Sequence, residues 1–285
     1  MQKILVAGST GYLGSHIVEH LQIRQIAFKA IARNAKKLHQ LGLKKPQIIE
    51  AQVTDPMTLS GCCEGIDTVI SSIGITRQKD GLSYMDVDYQ ANKNLLEEAK
   101  KSGVKKFIYI SVLHGESLTH LQICAAKERF VQALKQSGLD YCIIRPSGFF
   151  SDLAEFYNMA KKGRVYLFGK GQTTVNPIHG ADLAKVCVEA ISQNDKVIEV
   201  GGKETFTHQE IAKLAFKTVH KKVKITYVPD WIRRSILRLA SLFMSKTQYG
   251  TIEFFLNVMT IDMATSQYGH YSLQDFFLQL HEKQI

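Results

Sequence analysis

At 285 residues the chain has room for one large α/β domain, or for one domain and a smaller lobe. Hydrophobic (45%) and charged (22%) contents are globular, and the lack of any apolar run of about twenty residues excludes a spanning helix. Five scattered cysteines without a C-x-x-C argue for free thiols and against a metal site, while a net charge of +10 reads first as a solvated basic face and otherwise as one that meets an anionic substrate or surface.

The first apolar run, Ile4-Leu5-Val6-Ala7, lacks polar alternation and reads as a strand buried on both faces. It starts too early for a secretory signal, so a cytoplasmic protein is expected. Then come Gly8-Ser9-Thr10-Gly11-Tyr12-Leu13-Gly14 and a helix with Ile17, Val18 and Leu21 on one face. Strand, glycine turn and helix make a phosphate cradle, because glycines permit close backbone approach and a helix N-terminus attracts anions.

A second strand, Phe28–Ala32, ends at Arg33, with Lys36 and Lys37 beyond and no carboxylate at the tip. In dinucleotide folds this tip faces the adenosine ribose, so a cation favours NADP(H) over NAD(H). Alternatively, Arg33 opens a solvent-exposed helix. Gln47–Val53 reads as strand three, and Asp55 before Pro56 as a helix cap. Thr68–Ile73 is strand four. Ser72, Ile73 and Gly74 at its end let a cofactor pass close by, and a polar loop, Ile75–Ser83, follows.

A helix is expected over Asp88–Ser102, with Ala91, Leu95 and Ala99 on one stripe and Asn92 facing a neighbouring strand. Lys106–Val112 is strand five, and Ser111 and His114 near its end are candidate proton-transfer residues. On the next helix, Thr119–Ser137, Lys127 lies in an apolar stripe of Ile123, Cys124, Phe130, Val131 and Leu134. A lysine so placed either snorkels to the edge or has a partner. Strand six, Tyr141–Ile144, runs into Arg145-Pro146-Ser147-Gly148-Phe149-Phe150 at its ligand-binding end.

Beyond this the reading is a helix over Asp152–Lys162, a hairpin or loop over Gly163–Gly171, and a helix over Leu183–Ser192 with Asp182 in its first turn. His179 reads as a satisfied loop histidine. A strand over Val197–Val200 and a capping box, Thr207 with Glu210, come next. After a short strand at Lys224–Val228, Trp231–Met244 forms a basic amphipathic helix with Ile232, Ile236, Leu239 and Phe243 on one face. Covering a substrate cleft is the favoured role for it over a membrane or partner contact. Two more helices are expected, over Gly250–Asp262 and Ser272–His281.

The glycine turn, Lys127-Glu-Arg-Phe, Arg145-Pro-x-x-Phe-Phe, Asn176-Pro-Ile-His-Gly-x-Asp182 and Val200-Gly-Gly together resemble the atypical or extended short-chain dehydrogenases/reductases. The resemblance is greatest to the NmrA-like group, in its divinyl chlorophyllide reductase-like and complex I accessory-subunit-like branches. It implies a doubly wound parallel Rossmann sheet over residues 1–150, with strands also from about 172–202, and a smaller basic lobe over 151–285. It implies NAD(P) binding by the glycine turn, Asp55 near the adenine, Lys127 on the nicotinamide ribose, and Pro146, Ser147 and Phe149 nearby.

The family's Tyr-x-x-x-Lys pair is incomplete here, because Ile123 stands where the tyrosine acid belongs. Two functions follow. One is an NADP(H)-dependent oxidoreductase for a small organic substrate, working without the tyrosine, with Lys127 itself, a residue of the C-terminal lobe or water as the acid in its place. The other is a non-catalytic NAD(P)H-binding sensor or assembly protein that docks on a partner, or at the inner membrane face, through its basic lobe. Nucleic acid is not an expected partner, since no reading motif accompanies the charge.

Overall fold

The structure is a computed structural model and describes residues 2–75 and 81–282. The middle of the expected Ile75–Ser83 loop lies outside the described residues. In chain order the first elements are β1 (Ile4–Ala7), α1 (Tyr12–Ile23), β2 (Phe28–Ala32), α2 (Lys36–Gln40), β3 (Ile48–Glu50), β4 (Thr68–Ser71), α3 (Asn92–Lys101), β5 (Lys106–Ile110), α4 (Gln122–Lys135) and β6 (Asp140–Pro146). There follow α5 (Phe150–Lys161), β7 (Val165–Phe168), β8 (Thr174–Val175), α6 (Gly180–Glu189), β9 (Val197–Val200), β10 (Phe206–Thr207), α7 (His208–Thr218), β11 (Ile225–Val228), α8 (Asp230–Phe243), α9 (Lys246–Val258) and α10 (Leu273–Glu282).

Seven strands form the main sheet, in the order β3-β2-β1-β4-β5-β6-β9. Neighbours from β3 to β6 pair in parallel, with Ile4 opposite Phe28 on one side and Thr68 on the other. This is the doubly wound Rossmann arrangement, and strand order reverses at β1 and β4. Ligands bind at the carboxyl ends of the strands at such a switch point.

The chain divides into two compact units. The first runs to Arg145 and resumes over Leu183–Ile198. In its core, Leu5 and Ala7 of β1 meet Leu95, Leu96 and Ala99 of α3 and Phe130, Val131 and Leu134 of α4. The strand alternation turns Ile4 and Val6 to the opposite face, and they are equally buried.

The helix expected from Asp88 begins earlier, with a π-helical turn over Met85–Ala91 that runs into α3. Such a turn leaves carbonyls without their usual helical partners. Buried Asn92 supplies donors, from Nδ2 to Val87 O (3.3 Å) and Asp88 O (2.9 Å), and accepts from Ser71 Oγ of β4.

The second unit comprises Pro146–Asp182 and the chain from Glu199. Its Gly163–Gly171 stretch is not a hairpin, because β7 pairs in parallel with β11, Val165 opposite Ile225. A parallel partner requires a long crossover, which a local turn cannot supply. Asn176 is fully buried and bonds Thr265 through both ends of its amide, donating to O (2.7 Å) and accepting from N (3.0 Å). Asp182 accepts from His270 N (3.0 Å) and Tyr271 N (3.2 Å). The Asn176–Asp182 motif is thus a pair of side-chain clamps on the segment before α10.

The capping box at Thr207 and Glu210 is present at the start of α7. α8 has no fully buried residue, and Ile232, Arg233, Leu237 and Ala240 are half-buried. Among the described residues no helix is long and apolar enough to cross a membrane.

Candidate functional site

The glycine turn is built by close approach. Gly8 has φ +79°, and a Cβ there would lie 2.7 Å from Ser72 Oγ and 2.8 Å from Ser72 C. At Gly14 a Cβ would lie 2.1 Å from Gly8 O. Gly11 is less crowded, at 3.2 Å from that carbonyl, to which its own N–H donates at 3.0 Å. Gly11 is also the N-cap of α1; it provides no side-chain cap, and the first turn carries no acidic residue. The orphan N–H groups and positive dipole end of α1 are therefore uncapped by side chains, as anion binding requires. Ser9 and Leu13 point inward and are buried, with Ser9 Oγ donating to Ile31 O at 2.6 Å. Tyr12 sets its ring edge-on to His16.

A groove of about 330 Å³ runs from this turn across the strand tips. Gly8, Thr10 and Gly11 line one end; Ile31, Ala32 and Arg33 follow from β2, and Ala51–Thr54 from the end of β3. Ser72, Ile73, Gly74 and Ile75 continue it past β4, with Leu82 and Val87. Asp55 lies one residue beyond the lining; its carboxylate accepts from Met57 N (3.0 Å) as a cap. A second hollow, about 400 Å³, lies on the outer side of α3 and α4 beside Tyr89 and Arg129. It has neither the glycine turn nor a strand tip in its lining.

Lys127 has the partner its apolar stripe calls for. Its Nζ lies 3.0 Å from Asp88 Oδ1, and the Asp88 side chain is wholly buried. Asp88 Oδ2 accepts from Ile75 N (3.3 Å), and Lys127 Nζ donates to Ile110 O (3.5 Å). The pair lies against Gly74, where a Cβ would fall 2.7 Å from Asp88 Oδ1 and 2.9 Å from Lys127 Nζ. The ammonium also lies 5.5 Å from the ring centroid of buried Tyr109. Burial pushes the Asp88 carboxyl up from the ordinary carboxylate range, and the Lys127 charge opposes that push. For Lys127, burial lowers the pKa, but Tyr109 and Asp88 outweigh it, and the ammonium is held above the ordinary lysine value. Burial likewise raises the Tyr109 phenol.

Ser111 belongs to a different network. Its hydroxyl donates to Glu128 Oε1 (2.9 Å), and Arg145 grips both oxygens of Glu128, at 2.7 Å and 2.8 Å. All three are buried. His114 is exposed, holds a left-handed backbone (φ +56°), and accepts from Ser117 N and Oγ through its carbonyl.

Pro146 ends β6, and Ser147 and Phe149 follow it in the second unit. Buried Ser147 donates its hydroxyl to Asn176 O, while half-buried Phe149 is the N-cap of α5 and bridges Ile178. Phe150 belongs to the core, 5.6 Å from both the His179 and the Phe276 rings. His179 stacks on Tyr271 at 4.1 Å and accepts from Ala181 N.

Asp88 and Tyr109 were absent from the expected site. The stripe around Lys127 announced a partner without naming it, since Asp88 is brought to Lys127 only by the π-helical turn. All five cysteines are buried free thiols, and among the described residues no group of three metal-ligating side chains could hold a metal.

The glycine turn, the groove and the strand order agree with comparisons to known proteins. A family model described as NAD(P)H-binding matches residues 8–194. The photosystem II assembly factor Ycf39 of Guillardia theta is 28% identical over 80% of this chain and 73% of its own length. The chloroplastic divinyl chlorophyllide a 8-vinyl-reductase of Arabidopsis thaliana is 27% identical over 98% of this chain and 76% of its own. The fold is that of an NADPH-dependent quinone oxidoreductase from Escherichia coli, solved with NADPH. The TM-score is 0.78 at 18% identity, covering 98% of this chain and 99% of that one. A Cβ would fill the cradle at Gly8 and Gly14, and the family model spans it: the chain belongs to the NAD(P)H-binding family.

Proposed function

We propose that the chain is an NADP(H)-dependent oxidoreductase for a small organic substrate. The observation that carries this reading is the Lys127 ammonium against Gly74, at the end of a groove that starts at the glycine turn. The α1 N-terminus and the turn's backbone would hold the pyrophosphate, Arg33 the 2′-phosphate, and Thr54 with Asp55 the adenine side. Ser72, Ile73 and Gly74 would pass beneath the sugars, and Lys127 would hold the nicotinamide ribose. Pro146, Ser147 and Phe149 are proposed for the nicotinamide end. NADPH supplies the hydride when bound.

Lys127 in this reading binds and fixes charge rather than moving protons. A lysine held above its ordinary pKa is a weak acid and is never free as a base near neutral pH. Tyr109 does not replace the absent tyrosine acid, since it is fully buried and its pKa is raised rather than lowered. Ser111 is committed to Glu128, so we assign it a structural role; His114 lies exposed on its left-handed turn, and we assign it no proton. Reactions that need no strong side-chain acid, such as reduction of a conjugated double bond or a quinone, fit this site better than simple alcohol oxidation.

The same lack of an activated acid favours a second reading, a non-catalytic NADP(H)-binding sensor or assembly protein. Similarity to proteins named as assembly factors supports it. The deciding experiment loads the protein with NADPH and screens carbonyl, enone and quinone acceptors for loss of NADPH absorbance. Turnover with any class supports the oxidoreductase. Saturable NADPH binding with no oxidation across the panel overturns it in favour of the second reading.

A further inference from the structure

We infer that α8 is a docking helix for the surface of an anionic phospholipid bilayer. No residue of its 14 is buried. Trp231 is 67% exposed, Leu239 56%, Leu242 71% and Phe243 84%, with Ile236 also exposed. At roughly 100° per residue these five side chains share an arc of about 140°, which also takes in the small hydroxyl of Ser235 and half-buried Ile232. The opposite side is the one that holds α8 to its neighbour: Arg233 donates to Asp230 (2.6 Å) and to Asn257 of α9 (2.9 Å). The apolar arc therefore faces away from the α8–α9 contact.

Charge selects the occupant. Arg234 and Arg238 border the arc on one edge, and both are exposed. Arg234 shares Asp230 with Arg233, whereas Arg238 has no ion-pair partner among the described residues. Between Lys203 and Gly250 the sequence carries ten Lys/Arg against three Asp/Glu. An apolar stripe with a tryptophan at one end and arginines at its border suits the boundary between acyl chains and anionic headgroups, where arginine reaches up to phosphate. Size argues the same way. A 14-residue helix is about 21 Å long, so a stripe about 10 Å wide offers roughly 200 Å². A stable protein interface needs about 800 Å² per partner. An interfacial helix needs only its stripe. The inference stands on α8 alone and holds under either reading of the nucleotide site.

Trp231 is the only tryptophan in the chain, so fluorescence reports on α8 directly. The full-length protein is titrated with vesicles of phosphatidylcholine alone, and of phosphatidylcholine with phosphatidylglycerol, at low and at physiological salt. The expected result is a shift of emission to shorter wavelength with the anionic vesicles only, weakened by salt. Arg234→Ser/Arg238→Ser is expected to reduce vesicle partition roughly tenfold or more. Leu239→Ser/Phe243→Ser is expected to abolish it with NADPH binding unchanged, which shows that the fold and the nucleotide site are intact. No shift with anionic vesicles at low salt overturns the inference, as does an equal shift with both lipids. A shift that needs no vesicles and grows with protein concentration assigns the face to a second copy of the chain instead.

Discussion

Lys127 holds its ammonium 3.0 Å from the carboxylate of Asp88, and Asp88 is reached only through a π-helical turn. A buried pair of this kind is weak evidence of stability, because desolvation offsets much of the attraction. It is stronger evidence of placement: the carboxylate fixes a charge against Gly74 and beside the groove.

That placement has a test. In Asp88→Asn the shape is kept and the charge is lost, leaving Lys127 buried without its anion. The cost is about 3 kcal/mol or more of stability. Without that anion, burial acts more strongly to lower the Lys127 pKa. NADPH affinity should weaken with rising pH in the variant and stay flat in the wild type. A titration series across pH checks this, and a purely structural role for Asp88 would leave the pH profile unchanged. Lys127→Met should lower NADPH affinity at every pH, and unchanged affinity would remove Lys127 from the ribose.

The glycines should rank by their crowding. Gly14→Ala puts a methyl 2.1 Å from Gly8 O, a clash with backbone that cannot swing away. It should cost about 1–3 kcal/mol of stability and most of the nucleotide affinity. Gly11→Ala, at 3.2 Å, should be the milder of the two. Thermal melts with NADPH titrations settle the order.

Arg33 lines the groove at the tip of β2. Arg33→Asp should reduce NADPH affinity roughly tenfold or more, by loss of a charged contact to the 2′-phosphate, and should spare NADH. Equal NADPH affinity in the variant would refute the assignment.

Breaking the Glu128–Arg145 pair should harm the fold rather than nucleotide selectivity. Glu128→Ala removes the buried carboxylate from the Arg145 guanidinium, which keeps Glu116 (3.1 Å) and the Val112 carbonyl (3.0 Å), and orphans Ser111, at a cost of about 3 kcal/mol. Denaturant unfolding measures it. Ser111→Ala should be far milder, about 1 kcal/mol.

His208 gives the second unit a pH dependence. Burial lowers its pKa from 6.5 to about 4, with Asp262 opposing, and its Nδ1 lies 2.9 Å from Thr173 Oγ1. Below 6.5 the unfolded chain takes a proton that the folded one refuses. Stability is therefore full above that pH and is lost as pH falls toward 4, by about 3 kcal/mol at most. His208→Gln should flatten the melting temperature between pH 6.5 and 4 relative to wild type.

How much of this was legible beforehand follows from which interactions are local. The glycine turn is legible because β1, Gly8–Gly14 and α1 are consecutive, and their crowding is mostly among themselves. The capping box at Thr207 is read the same way. The role of Asp88 is not local, since it depends on a π-helical turn and on a lysine of another helix. The parallel pairing of β7 with β11 is equally non-local, and Gly163–Gly171 read on its own suggests a hairpin or loop. The face of α8 was legible in its spacing; its exposure was not, since periodicity reports amphipathicity and leaves open what covers the apolar side.

We propose the groove from Gly8 to Gly74 as an NADP(H) site. The most direct measurement titrates NADPH and NADH separately into the wild-type protein, following nicotinamide fluorescence. Saturable one-to-one binding of both, with NADPH the tighter, is the predicted result. Failure of NADPH to saturate up to millimolar concentration, or NADH binding as the tighter of the two, would contradict it.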